Sequence, residues 1–153
     1  MRAVVQRVSQ ASVRSQGEAI ASVGVGLLVL LGIAVSDSAR DAQWLADKVA
    51  GLRIFSDEGG KMSRAAADVG GEFLVVSQFT LYGSIARGRR PDFTRAAPGS
   101  QAKTLYQLFC DSLAALGHPP KTGIFGVHME VRLVNDGPVT IYIDTDEVMP
   151  HGL

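Results

Sequence analysis

One cysteine, three histidines and one tryptophan in 153 residues leave several chemistries without their usual groups. Cys110 has no second cysteine to pair with, and it falls within an apolar helical stripe, where such a residue behaves as a small hydrophobe. His118, His128 and His151 are spread over a loop, a strand and the tail at no spacing that matches a zinc site, so no metal is expected. Net charge is also lacking. Fifteen basic and fifteen acidic side chains cancel, so any contact with a polyanion must be local. The longest apolar run, Val23 to Val35, is interrupted by Gly24, Gly26 and Gly32 and falls short of the roughly 20 residues that cross a bilayer. Arg2, Gln6 and Arg7 stand where a secretory leader would be apolar. A cytoplasmic protein without a membrane span is expected.

Cofactor signatures are missing too. Gly24-Val25-Gly26 lacks a third glycine and leads into a strand, whereas a dinucleotide fingerprint opens a helix. No phosphate-binding loop ends in Gly-Lys-Ser/Thr, and Ser77 lacks the glycines of a nucleophile elbow. No cofactor is expected.

What remains is an ordinary globular composition, 46% apolar and 20% charged, long enough for a single domain over residues 1–153. Val4 to Val13 and Ala19 to Val23 read as a hairpin around Gln16-Gly17-Glu18, and Leu27 to Ile33 as a strand covered on both faces. Asp37 or Ser38 caps a helix whose Trp44, Leu45, Val49 and Leu52 recur every three or four residues. Arg53 to Ser56 and Phe73 to Val76 are strands. Ala102, Leu105, Tyr106, Phe109, Leu113 and Leu116 mark a long second helix between Ser100 and Gly117. Val127, Met129, Val131 and Leu133 alternate with polar residues, and Val139 to Asp144 reads as their antiparallel partner across a turn containing Gly137-Pro138. This order predicts an α/β (α+β) fold with a mixed, largely antiparallel sheet and two main helices. The tail from Glu147 to Leu153 is expected to be irregular.

Three stretches carry candidate chemistry. Ser77, Gln78, Phe79 and Thr80 bring two hydroxyls and a carboxamide to the end of a buried strand, a common place for ligand sites, although such groups also tie down strand ends by bonding to backbone. Gly137-Pro138 reads as a turn, and frequency alone favours a trans bond. Arg87, Arg89, Arg90 and Arg95 cluster with only Asp92 opposing them, as expected of a phosphate-contacting loop or of a solvated one.

Taken in order, several segments resemble the D-aminoacyl-tRNA deacylases of the bacterial and eukaryotic type. They are Val5-Gln6-Arg7-Val8, Ala11-Ser12-Val13, Gly26 to Gly32, Arg53 to Asp57, Val75 to Leu81, Arg89 to Phe93, Lys121 to Gly126 and Asn135 to Thr140. The likeness spans most of the chain. It implies an aminoacyl-tRNA substrate and a homodimer in which each subunit inserts its Gly137-Pro138 turn, with a cis bond, into the other's active site. The two carbonyls would hold the substrate's α-ammonium, so that an L side chain meets a wall while a D side chain or glycine passes. The ester would be attacked beside Ser77, Gln78, Phe79 and Thr80, with backbone amides there holding the oxyanion. Because no histidine pairs recognisably with Thr80, that residue is assigned a positioning role, and the tRNA's own 2′-hydroxyl would help activate water.

The match departs from the family at Val127, where many members carry alanine ahead of a polar residue and a methionine equivalent to Met129. Two other readings stand beside it: a related deacylase with a trans turn acting on L-alanyl-tRNA, whose proline is replaced here by Ser77, and a catalytically silent RNA-binding dimer.

Overall fold

The computed structural model describes residues 1–150. Strand β1 (Arg2–Ser15) turns through Gln16 and Gly17 into β2 (Glu18–Val23). Both turn residues have positive φ, 51° and 78°, as a two-residue hairpin requires to match the strand twist. Next come β3 (Gly26–Gly32), helix α1 (Ala39–Ala50), the short pair β4 (Phe55–Ser56) and β5 (Met62–Arg64), and β6 (Glu72–Ser77). The chain ends with α2 (Gly99–Ala115), β7 (Lys121–Thr122), β8 (Glu130–Asp144) and a single turn, α3 (Thr145–Val148). Six strands form one sheet in the order β2-β1-β3-β6-β7, with β8 also paired to β1. β1 runs antiparallel to β2, β3 and β8, while β6 is parallel to both β3 and β7. The expected mixed α+β architecture is present.

The run Leu27 to Leu31 has no polar residue because it serves two cores. Leu27, Val29 and Leu31 pack with α1 and α2, through Leu45, Val49, Leu105 and Phe109 among others, whereas Leu28 joins Val8, Val13, Leu74 and Val76 on the opposite face. β1 also contributes to both. Ala3 and Val5 face the helices, yet Ala11 and Val13, of the same parity, lie in the second core. A register shift between Val8 and Gln10 accounts for the change, since one extra residue exchanges the faces of everything after it.

Three expectations need correction. Val131 and Ile141 do not lie on two strands of a hairpin but on the single strand β8, which pairs with β1 along its length. Alternation looks the same for two strands and for one interrupted strand; here Val8 faces Asn135 and Gln6 faces Thr140, so residues 136–139 bulge out opposite Arg7 alone. The tail is not irregular from Glu147, because Asp144 caps α3 by accepting from the Asp146 amide at 3.0 Å; residues 151–153 lie outside those described. Ser100 is inside α2, whose preceding residue is Pro98. Strands β5 and β7 have no sequence signal strong enough to find them. At α1, Ser38 takes the cap position and Asp41 accepts from its amide at 3.0 Å, while the buried Asp37 accepts from the Met1 α-ammonium at 2.6 Å.

Candidate active site

Strand β6 delivers Ser77 and Gln78 to the end of the parallel pair β3–β6, where the Gln78 amide donates to the Leu31 carbonyl at 2.8 Å. The chain then closes a single 3-10 turn over Phe79–Tyr82. This turn lies so close to β3 that a Cβ on Gly32 would meet the Gln78 carbonyl and Leu81 at 3.0 Å. Beside it is a cavity of about 590 Å³. Ser77, Gln78 and Phe79 form part of its wall, Gly99 and Ala102 at the start of α2 another, and Phe125 to Met129 a third. Thr80 is exposed and outside the lining, and its hydroxyl accepts a hydrogen bond from the Gln78 side chain.

The lining is mostly apolar, and among its residues only His128 is ionisable. Sequence spacing sets this histidine aside, and only the tertiary fold brings it to the same cavity as Gln78. Val127, the departure from the family pattern, also lines the cavity. Met129 does so as well while packing on the second core. Cys110 is elsewhere, buried in α2, and burial pushes its thiol up to about 11, which suits a packing role rather than a nucleophilic one.

The Gly137-Pro138 segment is not at this cavity in the same chain. It bulges from β8, on the far side of β1 and β3 from β6, and its bond is cis. Asp136, Gly137 and Pro138 are exposed. Two residues hold the bulge. The Arg7 guanidinium donates to the Asp136 carbonyl at 3.0 Å and the Ile54 carbonyl at 2.8 Å, and the Asn135 amide donates to the carbonyls of Arg7 and Val139 at 2.9 Å each. Gly137 has φ of 132°, and a Cβ there would come within 3.0 Å of the Arg7 guanidinium. Arg7 thus joins the candidate site residues as the support of the bulge. An arginine set among valines in a buried strand was its only sequence signal.

A second arginine braces the other segment. Arg2 donates to the Leu81 carbonyl at 2.9 Å and to the Asp144 carboxylate at 2.8 Å, and its guanidinium lies 4.5 Å from the centre of the Tyr82 ring. Burial disfavours the charged form of Asp144, but the bonds from Arg2 and from the Asp146 amide outweigh it and hold the carboxyl below the usual range. Asp37, Asp41 and Asp146 bring carboxylate oxygens within 4.8 Å of one another. The positive charge beside them comes from the chain itself, from the Met1 ammonium on Asp37 and Arg95 at 3.8 Å from Asp146.

Arg87, Arg89 and Arg90 sit on an exposed loop closed by two hydrogen bonds of 2.8 Å between the backbones of Ser84 and Asp92. None of the three is in an ion pair among the described residues. No helix among them is long and apolar enough to cross a membrane.

A family model described as D-Tyr-tRNA(Tyr) deacylase matches residues 4–144, which include both segments. The chain belongs to the D-aminoacyl-tRNA deacylase family. The D-aminoacyl-tRNA deacylase of Thermomicrobium roseum is 55% identical over 97% of this chain and 96% of its own length. That of Symbiobacterium thermophilum is 56% identical over 96% and 97%. Among solved structures, that of a c-Myc DNA Unwinding Element Binding Protein superposes with a TM-score of 0.89 at 44% identity, covering 94% of this chain and 98% of that one. A probable eukaryotic D-amino acid tRNA deacylase superposes at 0.79 with 16% identity, over 93% and 97%, a likeness of fold alone. Membership in this deacylase family makes the chain a hydrolase.

Proposed function

We propose that the chain hydrolyses the ester of D-aminoacyl-tRNA, and of glycyl-tRNA mischarged on tRNA-Ala, in the cytoplasm, at a site completed by a second copy of itself. The observation that carries this reading is the separation of the two segments. Ser77 to Phe79 line a cavity, whereas Gly137-Pro138 projects into solvent across the sheet, so the cavity of one copy can receive the turn of another.

In such a site the carbonyls of Gly137 and Pro138 accept from the substrate's α-ammonium and fix the α-carbon. A D side chain then points away from the wall, glycine has none to clash, and an L side chain is rejected. Water adds to the ester carbonyl carbon, with the vicinal 2′-hydroxyl helping to orient it. Within the Ser77 to Thr80 stretch the backbone amides of Phe79 and Thr80 hold the oxyanion, and such a donor contributes about 3 to 4 kcal/mol. The acyl C–O bond breaks, the 3′-oxygen takes a proton, and the free amino acid leaves. Thr80 holds Gln78 in place rather than attacking. Arg87, Arg89 and Arg90 take phosphates near the acceptor end.

A non-catalytic nucleic-acid binder is the second reading, favoured by the 44% identical structure, whose name is that of a DNA-element binding protein. Incubation with matched D- and L-aminoacyl-tRNA separates these: loss of the D ester alone supports the proposal, loss of L-alanine points to a trans-turn relative, and no loss leaves the binder. Mixed dimers test the shared site. A Gly137→Ala chain, with its turn disrupted, and a Gly99→Trp chain, with its cavity blocked, should each be inactive and regain activity when mixed. Failure of every mixture to recover would remove the shared site.

A further inference from the structure

Phe79 and Phe93 form an edge-on pair, ring centres 5.0 Å apart at 65°, and both are open to solvent, 55% and 38% exposed. Two large aromatic rings rarely remain exposed together without a partner. Phe93 is held firmly from behind: a Cβ on Gly83 would come within 3.0 Å of its ring, and the neighbouring Asp92 is tied to Ser84 by two backbone bonds. Phe79 lines the cavity while Phe93 does not, so the pair runs from the cavity wall outward. The loop that this closure forms, ending one residue before Phe93, carries Arg87, Arg89 and Arg90, exposed in a molecule of zero net charge.

We propose that Phe93, in its edge-on pair with Phe79, is a stacking platform for the unpaired nucleobase next to the esterified terminal nucleotide, and that the arginine loop takes the phosphates beyond it. The proposal rests on the reading that aminoacyl-tRNA is the substrate. An aromatic face followed by clustered cations is what a single strand of nucleic acid recognises, with its bases and phosphates respectively. The terminal nucleoside, carrying the ester, belongs in the cavity, so the ring outside the cavity meets the base before it.

Position along the strand makes the test selective. Phe93→Leu should raise KM for D-aminoacyl-tRNA by roughly 5- to 150-fold, the range for loss of one stacked base, with kcat little changed. It should leave hydrolysis of a D-aminoacyl ester of adenosine alone unaltered, and Phe93→Trp should restore the tRNA value. An oligonucleotide with 2-aminopurine as the penultimate base should lose fluorescence on binding the unaltered protein and not on binding Phe93→Leu. That measurement needs no turnover, so it still reads the platform if the deacylation reading fails. An unchanged KM for tRNA, an equal loss with the adenosine ester, or a changed oligomeric state with unchanged RNA affinity would each overturn the proposal, the last because a second copy would then be covering the ring.

Discussion

Asn135 and Arg7 hold each other across the β1–β8 ladder, the Asn135 amide donating to the Arg7 carbonyl at 2.9 Å while the Arg7 guanidinium donates to the next carbonyl along, that of Asp136, at 3.0 Å. The bulge bearing Gly137 is therefore fixed by side chains from both strands. Arg7→Ala should lower kcat/KM for D-aminoacyl-tRNA by roughly 10- to 100-fold, in keeping with about 1.5 to 3 kcal/mol for hydrogen bonds from a charged donor. Parallel thermal melts would show whether the loss is local; full activity in the variant would mean that the bulge needs no brace.

Thr80 lies outside the cavity lining and is bonded to the Gln78 side chain. Thr80→Ala should keep turnover within about tenfold of the original, because removing a nucleophile costs orders of magnitude more. Single-turnover deacylation with tRNA binding measured alongside is the check, and a loss of turnover with binding and fold intact would make Thr80 the attacking group.

Arg89 and Arg90 are exposed and free of ion pairs among the described residues. The double variant Arg89→Gln, Arg90→Gln should bind tRNA more weakly and reduce the steepness of the log–log salt dependence by about 0.7 to 1 per arginine. A slope that stays the same would free the loop of any phosphate contact.

Asp144 couples pH to stability. Its carboxyl is held below the ordinary value of 3.8, so the folded state binds fewer protons there than the unfolded chain. The stabilisation is complete above the unfolded pKa and is lost as pH falls through the lower folded value. Chemical unfolding followed below about pH 4 should show a shallower acid loss in Asp144→Asn than in the parent, together with lower stability at neutral pH. Parallel acid limbs would assign the loss to other carboxylates.

Much of the sheet was legible because burial on two faces writes a continuous apolar run, as in Leu27 to Leu31, and the helical stripe of α2 was equally plain. The bulge in β8 was not. Alternation resumes at Val139 after the interruption, and nothing in a period of two records whether the chain has reversed direction. The same limit applies to the site. Ser77 and Gln78 stood out as polar groups ending a buried strand, but His128 and Phe93 reach the cavity and its rim through contacts remote in sequence, and no local spacing encodes them.

The extra residue at Ser9 ties the two cores to one strand, since Val5 belongs to the first and Val13 to the second. Neither hydrophobic cluster can come apart while β1 remains in place for the other, so heat or denaturant should meet one cooperative barrier rather than two. Loss of that single serine would leave every later side chain of β1 pointing the wrong way, and the molecule would forfeit a whole core for want of one residue.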